Sequence, residues 1–229
     1  NITSADEMSE TYSIAGTSLT GKNRQDGGVG TNFWDNALTS INSTAYAYCY
    51  VDAGENDPDA YIMNSATNAI IGAENTIDTG MGQATNLSNL FDCVAINSSS
   101  FAGIFFDDAD NDATITVIDE VGANIVAETD VDINVGEKSW VEVTQLDDNK
   151  FVAIWYNNAT NTTNITATVR DANNNVITAL TRIVINPGNW TSLASATITN
   201  GSSGEYFVLI WANTTISNTQ LLASVFNSS

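Results

Sequence analysis

Four stretches of the chain share one order of apolar and polar positions. Each opens on an aromatic residue, reaches a second aromatic four places on, and turns polar as it ends: YAYCYVD from Tyr46, FAGIFFDD from Phe101, FVAIWYNN from Phe151 and FVLIWANT from Phe207. The leading aromatics are 55, 50 and 56 residues apart, and the second ones are Tyr50, Phe105, Trp155 and Trp211. A short apolar run without strict alternation reads as a strand covered on both faces. Recurrence at this period marks one supersecondary unit used four times.

Each run has neighbours that complete a four-stranded unit. In the first repeat these are residues 37–41 before it, and 60–64 and 69–77 after it. The second repeat gives LFDCVAI, FAGIFFDD, ATITVID and ANIVAETDVDI; the third gives WVEVTQL, FVAIWYNN, ITATVRD and NVITALTRIVI. The fourth gives SLASATI, YFVLIWAN and LLASVFN, three strands without a fourth. The repeats are bounded at about 34–85, 86–138, 139–188 and 189–229, after an N-terminal extension of residues 1–33. Within that extension residues 12–19 read as a lone strand and 22–30 as a loop. The spare strand matches the outer strand that the last repeat lacks, so it is expected to pair with residues 221–226 of its own chain or of a neighbour.

The predicted class is all-β, and four-stranded units in series match propeller blades. The expected architecture is a four-bladed β-propeller with the N-terminal strand completing the last blade. Two tandem β-sandwich domains are the competing arrangement. The segment VRDANNNVI, residues 169–177, adds a motif that Ile118-Asp119, Phe226-Asn227 and Met63-Asn64 echo. With FVAIW and its polar loop, it resembles the tandem propeller-type repeats of secreted prokaryotic and archaeal surface glycoproteins. The likeness covers nearly all of the chain after Trp34 and implies a fold and a location, not an activity. Asn stands where glycine is common in that turn, and Asn also tolerates left-handed backbone.

Charge narrows the partners. Six basic against 27 acidic residues give a net charge of −21, which repels phosphate backbones and anionic membranes. No apolar run is long enough for a membrane-spanning helix. Eleven Asn-X-Ser/Thr acceptors occur, at Asn1, Asn42, Asn86, Asn97, Asn158, Asn161, Asn164, Asn189, Asn200, Asn213 and Asn227, where chance gives about six. Asn42 and Asn97 recur in one hairpin turn, with Asn200 in the same turn of the fourth repeat. Asn86 and Asn189 precede first strands, and Asn158, Asn161, Asn164 and Asn213 fall after central strands. Acceptors that recur in loops read as surface glycosylation.

Candidate chemistry is sparse. Histidine is absent, which excludes His-based triads and zinc sites. Asp92 and Glu142 on first strands, with Asp35 just before one, are the carboxylates a glycoside-cleaving propeller would use, but isolated surface acids are far commoner. No catalytic residue is assigned. Asp107, Asp108, Asp110 and Asp112 alternate as calcium ligands do, though the glycine and distal glutamate of an EF-type loop are missing, and a solvated acidic turn is the even alternative. Asp52, Glu55, Asp57 and Asp59 occupy the equivalent loop of the first repeat. Cys49 and Cys93, the two cysteines, fall on strands of successive repeats, and a disulfide between them is expected in an oxidising location. Trp34, Trp140 and Trp190 recur before first strands and read as packing residues rather than a sugar platform.

The expected role is a structural, N-glycosylated extracellular or cell-surface protein that forms a homopolymer: a filament, sheath or surface-layer subunit. A calcium-dependent adhesin or carbohydrate-binding module, with glycans or other surface proteins as partners, is the alternative. An enzyme is the remotest reading.

Overall fold

A computed structural model describes residues 8–15, 18–26, 33–52, 57–72, 74–78, 91–133, 135–136, 140–147, 149–157, 164–185, 189–199, 205–215 and 218–227. These residues form strands and turns, with no helix among them. Sheet 1 holds β3 (Phe33–Ser40), β4 (Ala45–Asp52), β5 (Asp57–Asn64) and β6 (Asn75–Thr76). Sheet 2 holds β7 (Phe91–Asn97), β8 (Ser100–Asp107), β9 (Asp112–Asp119) and β10 (Asn124–Asp132). Sheet 3 holds β11 (Val141–Asp147), β12 (Lys150–Asn157), β13 (Asn164–Asp171) and β14 (Val176–Ile185). Sheet 4 has three strands, β15 (Asn189–Thr199), β16 (Glu205–Thr215) and β17 (Asn218–Asn227). Every sheet is an antiparallel meander in chain order.

The repeated runs are the second strands, and their lack of alternation has a direct cause. Along β8 and β12 both sets of side chains are buried, because a sheet lies against each face. Ala47, Cys49 and Val51 of β4 meet Phe91, Cys93, Phe101 and Phe105 of sheet 2. Ala102, Ile104 and Phe106 of β8 meet Val141, Val143, Phe151 and Trp155 of sheet 3. Val152, Ile154 and Tyr156 of β12 meet Leu193, Phe207, Leu209 and Trp211 of sheet 4. Among the described residues the core thus forms three equivalent inter-sheet layers in series, with a further buried cluster of Tyr46, Tyr50, Tyr61 and Met63 on the other face of sheet 1. The first strands β3, β7, β11 and β15 pack in single file along one side. No extended contact joins β3 to β15, so the four sheets do not close into the expected four-membered ring among the described residues.

The N-terminal expectation is corrected. Residues 8–26 form a hairpin, β1 (Met8–Ala15) with β2 (Ser18–Asp26), so the run read as a loop from Lys22 is largely strand. The strand meant for the last sheet takes this partner instead, and β17 pairs with β16 alone among the described strands. Polar residues carry no hydrophobic signal, yet their backbone groups complete a ladder equally well. The fourth strand of the first repeat shrinks to β6 and a single bridge between Met63 and Ile70. Asn68 at φ 56° precedes it and Gly72 at φ 84° interrupts it, since left-handed backbone leaves the ladder.

The hairpin motif behind the resemblance has a clear physical role. Asn64, Asp119, Asp171 and Asn227 end the third strands at equivalent register positions. Asp119 Oδ1 accepts from the N–H groups of Val121 and Ala123 at 2.9 and 2.8 Å, and Asp171 Oδ1 does the same for Asn173 and Asn175 at 2.8 and 2.9 Å. Asn174 adopts φ 62° inside that turn, the left-handed conformation for which Asn substitutes for glycine.

Candidate functional site

The functional candidates fall on the first strands, where side chains of one sheet bond the backbone of the next. Thr39 Oγ1 of β3 accepts from the Ala95 N–H of β7 at 2.8 Å. Asp92 of β7 accepts from Val143 N–H of β11 through Oδ2 and from Cys93 N–H through Oδ1, both at 2.8 Å. Glu142 of β11 accepts at Oε1 from Ser195 of β15, from its N–H at 3.0 Å and its hydroxyl at 3.3 Å. Gln145 donates through Nε2 to Ile96 O at 2.8 Å, and the Thr197 hydroxyl donates to Gln145 O. Asp92 pairs with Ile104 and Glu142 with Ile154, the same register position in two successive sheets. Each reaches one residue further along the next first strand.

These two were the carboxylates a glycoside-cleaving site would use, and the structure brings them near each other. Burial first, and then the charge of Asp92, raises Glu142 to about 8, against the pull of its two bonds from Ser195. A carboxyl group held neutral by burial beside another acid is common in hydrolytic sites. Here, however, three of the four carboxyl oxygens accept bonds from the protein, and the arrangement acts as a ladder between strands. Asp35 lies on β3, Trp34 on β3 and Trp190 on β15. Trp140 packs against the layer between sheets 3 and 4.

A second carboxylate group lies in and around the acidic turn of sheet 2. Asp107 is raised to about 6 by burial and by Asp78 and Asp110, opposed by the Ala109 N–H. Glu128 is raised to about 7 by burial, by a hydrogen bond with Asp78 and by the charges of Asp78, Asp107 and Asp130. Of the calcium candidates, Asp107, Asp108 and Asp110 stay at the turn, while Asp112 is buried at the start of β9. Asp57 and Asp59 of the first repeat are likewise buried in β5. Among the described residues no three of these acids form a group placed to hold a metal ion.

Cys49 and Cys93 do meet. Both are buried in the layer between sheets 1 and 2, where they are free thiols in contact. Burial, then the Cys49 thiol and the Asp92 charge, push the Cys93 thiol well above its ordinary value.

The acceptor asparagines scatter. Asn42 and Asn97 occupy the first hairpin turn of sheets 1 and 2, as expected from their recurrence. Asn227 is exposed at the end of β17. Asn164, which the sequence places in a loop, is the first residue of β13, pairs with Asn157 and is 3% exposed. Asn189 and Asn213 also lie in strands, β15 and β16, because the fourth sheet's ladder runs further than its apolar run. Asn1, Asn86, Asn158, Asn161 and Asn200 fall outside the described residues.

Sequence reasoning missed Asp132. Its Oδ2 accepts from Trp155 Nε1 at 2.8 Å and from Asn157 Nδ2 at 2.9 Å, tying the end of β10 to β12 of the next sheet. The signal was available in part: a fully buried Trp needs an acceptor for its indole N–H.

No protein-family model matches the chain, and no characterised protein matches it in sequence. Among solved structures it is similar to a polysaccharide lyase, an ulvan lyase, with 7% identity and a TM-score of 0.48 over 75% of this chain. The match spans 44% of the lyase chain. A likeness of that order carries no argument about activity.

Proposed function

We propose that this chain is a structural protein of the cell surface or extracellular space, N-glycosylated, non-enzymatic and self-associating, with its sheets stacked as successive propeller-type blades. The observation that carries the reading is the outer face of sheet 4. Val208, Ile210 and Ala212 of β16 stand at the register positions of Val152, Ile154 and Tyr156, which sheet 4 covers in sheet 3. Beside them on the same face lie Ala194, Ala196 and Ile198 of β15 and Leu221, Ala223 and Val225 of β17. Leu221 is 75% and Val225 59% exposed.

None of these nine residues is charged, in a chain of net charge −21. Two copies this acidic repel each other at long range, and an uncharged apolar face is where they approach at least electrostatic cost. A sheet face rich in alanine and valine also fits its own copy by face-to-face stacking, about 10 Å between sheets. The occupant of this face is therefore a second copy. The single-file packing of first strands supports the blade arrangement, and an acidic chain with about twice the chance number of acceptors supports the location.

Sedimentation over a range of protein and salt concentrations tests this. Association should strengthen as salt screens the charge. The double variant Leu221→Asp with Val225→Asp should remain monomeric with an unchanged melting temperature. An unmodified chain that stays monomeric at high concentration and high salt would remove the proposal.

A further inference from the structure

Two of the recurrent acceptor asparagines are already engaged in another task. In the turn Asn42-Ser43-Thr44, Oδ1 of Asn42 accepts from Thr44 N–H and Thr44 Oγ1, both at 2.8 Å, and from Ala45 N–H at 2.9 Å. Its Nδ2 donates out of the sheet, to Ser98 O and to Glu120 Oε2 of sheet 2, both at 2.9 Å. The turn Asn97-Ser98-Ser99 repeats the design. Asn97 Oδ1 accepts from Ser99 N–H at 2.8 Å, Ser99 Oγ at 2.9 Å and Ser100 Oγ at 3.0 Å. Its Nδ2 donates to Asn149 Oδ1 of sheet 3 at 2.8 Å.

The receiving groups are held in place. Glu120 N–H donates to Ser99 O at 2.9 Å, which sets the Glu120 carboxylate at the mouth of the second turn. Asn149, at φ 72°, donates its N–H to Ile96 O at 3.1 Å and accepts from Ala172 N–H at 2.9 Å. The turns of sheets 1, 2 and 3 are thus linked in series at one end of the stack, each through an Asn side chain.

We infer that Asn42 and Asn97 are inter-sheet clamps, and that the folded chain does not carry glycans on them. This deepens the glycoprotein reading and rests on it, because it assigns which acceptors remain for modification. The hydroxyl residue two places after each Asn, which makes the tripeptide an acceptor, here closes the turn by donating to Oδ1. N-glycosylation replaces one hydrogen of Nδ2 with a sugar. Both Nδ2 hydrogens of Asn42 are in use, so attachment breaks a bond to sheet 2 and places the sugar between two turns in contact. At Asn97 the sugar must enter the joint with Asn149.

The two clamps differ in a way that can be measured. The acceptors facing Asn42 are a carbonyl and a carboxylate, and neither has an N–H that rotation could turn toward it. Asn149 carries an amide, and turning it over presents a donor to an aspartate. In unglycosylated protein from a bacterial host, Asn42→Asp should lower the melting temperature by roughly 3 to 8 °C, through two lost bonds and repulsion by Glu120. Asn97→Asp should cost less than half as much. Thr44→Ala, which also abolishes the acceptor tripeptide, leaves the Nδ2 bonds in place and should cost about 2 °C or less.

Asn42→Asp within about 1 °C of the parent, or no more costly than Thr44→Ala, overturns the clamp. Glycopeptide mapping of protein from an N-glycosylating host supplies a second arm. Asn42 and Asn97 should be bare, and a glycan on either in most molecules overturns the inference. Should every acceptor in the chain be bare, the glycoprotein reading falls, while the melting comparison still decides the clamp.

Discussion

Glu142→Gln is the sharpest probe of the first-strand ladder. Glu142 titrates near 8 in the folded chain, against an ordinary value of 4.5. The folded state therefore holds a proton that the unfolded state releases between those two values. The resulting stability is fully present below pH 4.5 and is lost as pH rises through about 8. Fully realised, a shift of this size corresponds to about 5 kcal/mol. The side chain is only partly buried, and solvent screening reduces the expected contribution to about 1–2 kcal/mol. That is a fall in melting temperature of roughly 2 to 8 °C between pH 5 and pH 9. Glutamine keeps the oxygen that accepts from Ser195 and removes the titration. Glu142→Gln should match the parent at pH 5 and melt above it at pH 9. Calorimetric scans at half-unit steps across that range give the answer. Parallel curves for the two proteins would refute the reasoning, since they would place the proton elsewhere.

Three other expectations follow from single contacts. Asp132→Ala removes the acceptor of a buried indole N–H and should destabilise by about 1–3 kcal/mol, whereas in a Trp155→Phe background the same change should cost much less. Gly103→Ala places a Cβ 2.9 Å from the Phe91 ring and 3.2 Å from the Thr116 methyl, a clash worth about 1–3 kcal/mol by chemical denaturation. Refolding in oxidised glutathione should join Cys49 to Cys93, detected as loss of both free thiols. The product should melt higher, by about 4 kcal/mol of loop-closure stabilisation, and two alkylatable thiols after refolding would remove the bridge.

Much of this architecture was legible because it repeats. Phe101, Phe151 and Phe207 mark equivalent strands, and each one packs into the sheet before it, so one chemical cause wrote the same phrase three times. Asn64, Asp119, Asp171 and Asn227 were legible for the same reason. The ladder was less so. Thr39, Gln145 and Thr197 look like ordinary polar residues of alternating strands, and their partners are backbone groups that any sequence supplies. Asn42 and Asn97 are ambiguous in the sequence because turn closure and glycan acceptance ask for the same tripeptide. The N-terminal hairpin was missed because Asn23 and Arg24 bear no apolar pattern while their backbone pairs with Thr11 and Glu10.

The single-file packing of the sheets bears on how the molecule yields. Among the described residues each sheet leans on the one before and the one after, so the stack resembles a chain of couplings whose strengths need not be equal. The joint between sheets 2 and 3 is fastened by Asp92, Asp132, Asn97 and Gln145. Among the described residues, that between sheets 3 and 4 is fastened by Glu142 and Thr197. Under tension or partial denaturation the fourth sheet is the first to part, and the middle pair is the last to hold. Amide exchange should accordingly spread inward from β17, with β8 and β12 the slowest strands in the molecule.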